Sequence, residues 1–396
     1  MKILVIHNHY QRPGGELVAV QAQVALLERH GHQVVPWFRH NDAIAQFGPL
    51  ARALFFPRTV FAARVYQEVL DLVRRERPDV AHVHNVFPLL SPAVYWGLKA
   101  ARVPVVQTIH NFRLLCPNGL FYTRGRICER CKLGNTLHAA RWRCYRDSYA
   151  LSGLYALSVG LHRRLGTFAR IDRFVALTRF AADKLVEGGV ARPEQISVLG
   201  NFLPDPLPEP LGTRRPWVVF MGRLSAEKGL DTLVEAAARV PELQFKIVGD
   251  GPERGRVEGR TRGLANVEVV GHVAGPAKWE WLRQARAVVV PSLWYEHFPY
   301  SILEAMSCAT PVVASRLGSL PELVEDGVSG LLFEPGRSED LARKLSWCVD
   351  ANRAAALGQA ARRTVEERWS ATRHHDELMR IYALTIERSS SEARSR

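Results

Sequence analysis

Short apolar runs alternate with helix-spaced apolar positions along most of the chain. KILVIH (2–7) predicts a buried strand, which His7, Asn8 and His9 bring to a stop. Residues 17–30 carry helix-spaced apolar positions and end at Gly31, a suitable C-terminal cap. HQVVPW predicts the next strand, and Val65, Val69, Leu72 and Val73 mark a helix face ahead of Pro78. DVAHVH (79–84), VPVVQTIH (103–110) and DRFVALT (172–178) predict further strands. This regular β-α alternation predicts a parallel sheet covered on both faces.

The alternation breaks at NFLPDPLPEPLGTRRP (201–216), where Pro204, Pro206, Pro208, Pro210 and Pro216 remove backbone donors. It then restarts with strands at WVVFMG, QFKIVG, VEVVG, AVVVPS and PVVAS. The expected organisation is therefore α/β, with two doubly wound Rossmann-like domains, 1–205 and 206–370, and an insert at about 112–147 in the first. Such a pair would face each other across a cleft at the carboxyl edges of the sheets. The amphipathic stretch of about 353–387 ends in a helix (371–387) expected to pack back toward the first domain. The tail RSSSEARSR (388–396) has too little apolar surface to order itself and is expected to be disordered.

Composition narrows the classes. The chain has 396 residues, 47% apolar and 23% charged, which is ordinary for a globular protein of two domains. It lacks the run of about 20 apolar residues that a membrane-spanning helix needs. The start reads as a first strand rather than a signal peptide, so a cytoplasmic location is expected. A net charge of +14 points to anionic partners: nucleic acid, an acidic membrane surface or phosphorylated substrates. A generally basic proteome would give the same charge with no such meaning.

Three loops of the second half follow strands and open at one edge. GRLSAEKG (222–229) carries Arg223 and Lys228, a fork and a point charge suited to a diphosphate, or else two solvated surface cations. GDGP (249–252) either lets backbone approach a ligand or is a simple turn. The third lies in LWYEHFPYSILEAM (293–306), where Glu296 and Glu304 are eight positions apart. On one helix they would lie about 80° out of line and about 12 Å apart, so they are no close pair. Pro299 instead fits the first position of a helix. The N–H groups near Tyr300 and Ser301, with the positive helix end, would then suit phosphate. The two carboxylates flank that anion site and suit hydroxyls on either side of it, unless they are merely solvated.

These segments resemble those of a known family. EHFPYSILEAMSCATPVVAS, FMGRLSAEKGLDTLVEA, FKIVGDGPE and ELVEDGVSGLLFEPG (322–336) are similar, in order, to signature segments of family 4 glycosyltransferases, retaining enzymes of the GT-B fold. The resemblance implies that Arg223 and Lys228 hold a donor diphosphate, that Glu304 takes the ribose hydroxyls, and that Glu296 contacts the transferred sugar. It places the backbone of Gly249, Gly251, Pro252 and Val273 around the nucleobase. In the first half it brings Gly14 and Gly15 of RPGGE close to phosphate and acceptor, and sets His110 beside the donor sugar. The implied reaction is a front-face substitution in which the leaving phosphate takes the acceptor proton, with no metal required. Pro299 and Ala309 depart from the glycines common in the family, and the proline removes an N–H from the sugar side. The implied partners are a nucleotide diphosphate sugar and a lipid-linked or oligosaccharide acceptor of the cell envelope.

Cys308 and Cys348 sit in apolar helical settings and are expected in the core. Cys116, Cys128, Cys131 and Cys144 fall in the insert with spacing C-x11-C-x2-C-x12-C, which predicts a structural zinc site, with reduced thiols or a redox or iron–sulfur role as alternatives. The insert also carries Arg124, Arg126, Arg130, Lys132, Arg141, Arg143 and Arg146 among Phe121, Tyr122, Trp142 and Tyr145. That mixture suits an anionic lipid surface or a lipid-linked diphosphate, single-stranded nucleic acid, or plain solvent. The helix that follows (about 149–169) either lies in a membrane interface or packs on its own domain.

A nucleic-acid-binding module leaves the four ordered segments unexplained, so no nucleic-acid partner is expected. A dinucleotide oxidoreductase lacks a G-x-G-x-x-G after KILVIH. A pyridoxal phosphorylase is disfavoured. A sugar-nucleotide epimerase of the same fold is the standing alternative.

Overall fold

Two six-stranded, all-parallel sheets organise the chain in the computed structural model, which describes residues 1–11, 14–49 and 54–394, the side chains of 392–394 excepted. Two units divide it: residues 1–121, 128–200 and 372–396 form the first, and 122–127 with 201–371 the second.

In chain order the first elements are β1 (Lys2–His9), α1 (Gly15–Arg29), β2 (Gln33–His40), α2 (Phe55–Val60), α3 (Ala63–Glu76), β3 (Val80–Asn85), α4 (Ala93–Ala100) and β4 (Val105–Ile109). A two-stranded hairpin, β5 (Tyr122–Thr123) and β6 (Arg126–Ile127), precedes α5 (Leu137–Arg141), α6 (Tyr149–Arg164), β7 (Arg173–Ala176), α7 (Arg179–Glu187) and β8 (Ile196–Val198). The first sheet runs β2-β1-β3-β4-β7-β8. Pro36 is tolerated in β2 because that strand is an edge. β1 does not stop at His7: it continues through Asn8 and His9, both buried. Tertiary hydrogen bonds make this possible, since Asn8 Nδ2 donates to Asn41 Oδ1 at 2.8 Å and Leu89 N donates to Asn8 Oδ1 at 2.9 Å.

The second unit contains β9 (Trp217–Met221), α8 (Leu230–Ala237), β10 (Gln244–Val248), α9 (Arg254–Thr261), β11 (Val267–Gly271), α10 (Pro276–Gln284), β12 (Ala287–Val290), α11 (Tyr300–Ser307), β13 (Val312–Ser315), α12 (Leu320–Leu323), β14 (Gly330–Phe333), α13 (Ser338–Ser346) and α14 (Ala351–Arg368). Its sheet runs β11-β10-β9-β12-β13-β14. The core between this sheet and its helices gathers Val218, Phe245, Ile247, Val289, Leu233 and Leu345, with Cys348 among them; Cys308 is also fully buried. The proline-rich segment 201–216 forms no helix or strand.

The last helix, α15 (Ala371–Arg394), belongs from Thr372 on to the first unit, where Leu378, Ile381 and Tyr382 join the core of Ile3, Val5 and Val80. It runs on to Arg394, through most of the segment expected to be disordered; residues 395–396 lie outside the described residues. Adding a turn to a formed helix costs little, and Arg388 donates to the Glu194 carbonyl at 3.1 Å.

Candidate active site

The second sheet turns at β9 and β12: β10 and β11 continue to one side, β13 and β14 to the other. The crevice outside the carboxyl ends at such a turning point is where doubly wound sheets bind ligands. The loops after β9 (222–229) and β12 (291–299) both begin there and are hydrogen-bonded together, Leu293 N donating to Glu227 O at 2.8 Å. Gly229 adopts a left-handed φ of 68°, and a Cβ on it would land on the Pro291 carbonyl oxygen. The loop after β10 is tied in the same way. Gly222 N donates to Val248 O at 3.1 Å and Leu224 N to Asp250 O at 2.9 Å. A Cβ on Gly249 (φ 148°) would strike the Gly222 carbonyl.

This backbone brings Lys228 and Glu296 together. Lys228 Nζ donates to Glu296 Oε1 at 2.7 Å, and Ser292 Oγ (2.6 Å) and Trp294 Nε1 (3.0 Å) donate to the same oxygen. The ammonium also lies 5.3 Å from the Trp294 ring centroid. Glu296 is buried. Arg223 is half-exposed and held by Nη2 to Glu227 Oε1 at 2.9 Å and Nε to Ser225 Oγ at 3.2 Å. Burial works to raise the Glu227 pKa, but the hydrogen bonds from Ser225 and Arg223 outweigh it and the net shift is downward.

Pro299 is the N-cap of α11, with an extended ψ of 124°, and Tyr300 is the first helical residue; the helix starts one position later than expected. Ile302 N turns back to Pro299 O at 3.1 Å. Ser301 therefore sits in the first turn and Glu304 one turn further in. Glu304 accepts from Lys278 of α10 at 2.6 Å, and burial raises its pKa against the opposing lysine. The buried Tyr300 hydroxyl has no hydrogen-bond partner among the described residues. Gly251 and Pro252 lie in the loop after β10, and Val273 just beyond β11. Lys278, Ser292 and Trp294 escaped the reading of the sequence; only Trp294, a tryptophan two residues before Glu296, offered a local signal.

The first sheet turns between β1 and β3. Gly14 caps α1 in extended conformation, with open space where a Cβ would stand; Arg12 and Pro13 of RPGGE lie outside the described residues. Gly15 opens α1, so Glu16 falls in its first turn. Asn111, beside His110, donates to Glu16 Oε2 and Tyr10 Oη, both at 3.3 Å. Glu16 Oε1 lies 3.6 Å from His7 Nδ1, and neither atom has a hydrogen-bond partner among the described residues. Burial pushes the Glu16 carboxyl up to about 8, against Arg113 and Asn111. His110 Nε2 meets His84 Nδ1 at 2.9 Å, and burial lowers His110 to about 3, so the pair is neutral.

Burial first, then the neighbouring Cys116, Cys144 and Cys128, which disfavour a second thiolate, raise the Cys131 pKa to about 12. Yet among the described residues no group of three or more His, Cys, Asp or Glu is placed to hold a metal ion.

Residues 13–205 match the family model for Glycosyltransferase Family 4, and residues 215–351 that for Glycosyl transferases group 1. The sulfoquinovosyl transferase SQD2 of Arabidopsis thaliana is 34% identical over 39% of this chain and 30% of its own length. The alpha-D-kanosaminyltransferase of Streptomyces kanamyceticus is 34% identical over 34% of this chain and 37% of its own. The chain thus spans about a third of the length of such relatives. An uncharacterized glycosyltransferase of Methanocaldococcus jannaschii, MJ1607, is 23% identical over 98% of this chain and 99% of its own. In fold, the chain is similar to HepE of Anabaena, solved with UDP and glucose, at TM-score 0.68 and 21% identity, covering 97% and 99% of the two chains. It is also similar to sucrose-phosphate synthase of Thermosynechococcus elongatus, at TM-score 0.72 and 21% identity, covering 97% and 98%. With two matched models in order, the motifs on the strand-end loops and two parallel sheets of the GT-B type, the chain belongs to the family 4 glycosyltransferases.

Proposed function

We propose that the protein is a retaining glycosyltransferase that moves a sugar from a nucleoside diphosphate sugar to a hydroxyl of a lipid-linked or growing polysaccharide acceptor in the cell envelope. The observation that carries this reading is the Lys228–Glu296 pair at the turning point of the second sheet, with Arg223 on the same loop. A uridine diphosphate sugar is the proposed donor, supported by the complex of HepE with UDP and glucose.

In this reading Arg223 and Lys228 bind the diphosphate. The acceptor oxygen bonds to the anomeric carbon on the face from which the phosphate oxygen departs, and the acceptor proton passes to that phosphate oxygen. The configuration is kept, and a nucleoside diphosphate is released with its charge met by the two cations, so no metal is required. Lys228, Ser292 and Trp294 all occupy Glu296 Oε1, so Oε2 is the atom proposed to accept from a sugar hydroxyl. Glu304, oriented by Lys278, takes the ribose hydroxyls. Neutral His110 stands beside the sugar, and Gly14 and Gly15 leave room for the substrate.

Calorimetric titration with UDP, GDP, ADP and their sugar conjugates tests the donor. Binding of one nucleotide that is lost in Lys228→Ala supports the reading, and binding of none overturns it. Incubating the donor without acceptor and finding an epimerised sugar nucleotide would replace transfer by epimerisation.

A further inference from the structure

Helix α6 buries Leu154, Tyr155 and Val159 but leaves Leu157, Leu161 and Leu165, just past its end, exposed along one line with Arg164. Spacings of three and four put these on one face. One flank of that face is α5 and the turn before it, where Thr136 Oγ1 donates to the Ala156 carbonyl at 2.7 Å and Arg163 donates to the Lys132 carbonyl at 2.6 Å. That flank adds Leu133 and Leu137. The other flank is α2, where Ser158 Oγ donates to the Thr59 carbonyl at 3.4 Å and His162 Nε2 meets the Val60 carbonyl at 2.7 Å. It adds Phe56 and Phe61. The exposure of these seven side chains runs from 38% at Leu161 to 80% at Leu133. Three neighbouring elements of one unit thus share one exposed apolar face.

The charge on the three helices has a single sign. Helices α2, α5 and α6 contain no Asp or Glu, while Arg58, Arg141 and Arg164 are exposed on them. Apolar side chains among exposed arginines, with the neighbouring carboxylates Glu129 and Glu187 paired to Lys132 and Lys184, match a bilayer surface, where acyl chains lie under anionic headgroups. A two-fold contact with a second copy would instead set these arginines against their own counterparts. Among the described residues no helix is long and apolar enough to cross a membrane, so contact would be interfacial. We propose that the face formed by α2, α5 and α6 docks the protein on an anionic lipid surface, with Leu133, Leu137, Leu157, Leu161 and Leu165 entering the headgroup–acyl boundary and Arg58, Arg141 and Arg164 meeting the headgroups. This goes beyond the transfer reading and holds whether or not that reading does.

The full chain is mixed with extruded vesicles of phosphatidylcholine alone, or with about 30% phosphatidylglycerol, and the bound fraction is read by sedimentation at low and high salt. Strong binding to the anionic vesicles, at least about tenfold weaker on neutral ones and weakened by salt, is expected. Leu157→Gln with Leu161→Gln lowers the partition about tenfold, while Arg58→Gln with Arg141→Gln and Arg164→Gln removes the preference for anionic lipid. All five positions are exposed, and thermal melting confirms that each variant folds. Binding to neither vesicle, or binding untouched by both variants, overturns the proposal. So does a dimer in sedimentation equilibrium that the double leucine variant dissolves. Nucleotide binding is measured separately without vesicles: its absence beside intact vesicle binding overturns the transfer reading alone.

Discussion

Lys228 Nζ and Glu296 Oε1 lie 2.7 Å apart although 68 positions separate them in the chain. The loop after β9 supplies one and the loop after β12 the other, so the pair exists only because those strands are neighbours in the sheet. Removing the lysine strips a cation from the proposed diphosphate site and leaves a buried carboxylate with only neutral donors. Lys228→Ala is expected to lower kcat/KM by about 10²–10³-fold and to abolish nucleotide binding. Glu296→Gln keeps the hydrogen bonds from Ser292 and Trp294, so nucleotide affinity should survive while kcat falls. Steady-state kinetics with calorimetry separates the two; equal loss of affinity in both variants would dissolve the division of roles.

Two glycines are expected to respond in opposite ways. A Cβ on Gly249 meets the Gly222 carbonyl at a φ of 148°, so Gly249→Ala should cost about 3 kcal/mol or more and lower the melting temperature. Gly14 has an extended backbone, and among the described residues nothing crowds a Cβ there, so Gly14→Ala should melt as wild type does. A fall in donor affinity in that variant would report substrate approaching the backbone; unchanged affinity would remove Gly14 from the site.

Stability should peak near neutral pH. Burial first, helped by neighbouring histidines, holds His7 and His82 to about 3; burial alone holds His110 there, and His374 is held to about 4. Folded-state values below the unfolded 6.5 mean that the unfolded chain takes up protons first, so stability falls as pH drops from about 6.5 toward 3. Glu16 has the opposite sense. Its value of about 8 lies above the unfolded one, so it contributes a loss as pH rises from about 4.5 to 8. Each group contributes at most about 1.4 kcal/mol per pH unit within its window. Urea midpoints measured from pH 5 to 8 should therefore drop steeply on the acid side and gently on the alkaline side. Glu16→Gln should flatten the alkaline arm and, because its window reaches down to about 4.5, steepen the acid one; a flat acid arm would contradict the burial of the histidines.

The four-cysteine segment makes a prediction about metal. Zinc needs thiolates at about 2.3 Å in a tetrahedron. Here Cys116 donates to Asn118 Oδ1 at 3.0 Å, and Cys131 packs with Ala139, Ala156 and Cys144. Metal analysis of the purified chain is expected to find no stoichiometric zinc, and Cys131→Ser should cost about 1–3 kcal/mol through a poorly paired buried hydroxyl. One zinc per chain, lost in that variant, would show that the segment closes around an ion.

The strands of both sheets were legible because a buried parallel strand is a short apolar run, a signal contained within a few residues. β8 was missed because it is only three residues long and not fully buried. β14 was missed because GLLF lay inside a stretch matched only as a family signature. The cations of GRLSAEKG, the carboxylates around Pro299 and the glycines of GDGP were legible because each motif is local. The partners that orient them were not. Lys278 reaches Glu304 across 26 positions and Asn111 reaches Glu16 across 95. The sequence by itself determined which segments become strands and helices and which loops carry charge, because periodicity and loop chemistry act over a few residues. Only the tertiary structure decided that Lys228 meets Glu296, that His7 and Glu16 are buried together, and that seven apolar side chains share one exposed face. Those outcomes depend on strand order and helix packing, which bring distant parts of the chain into contact.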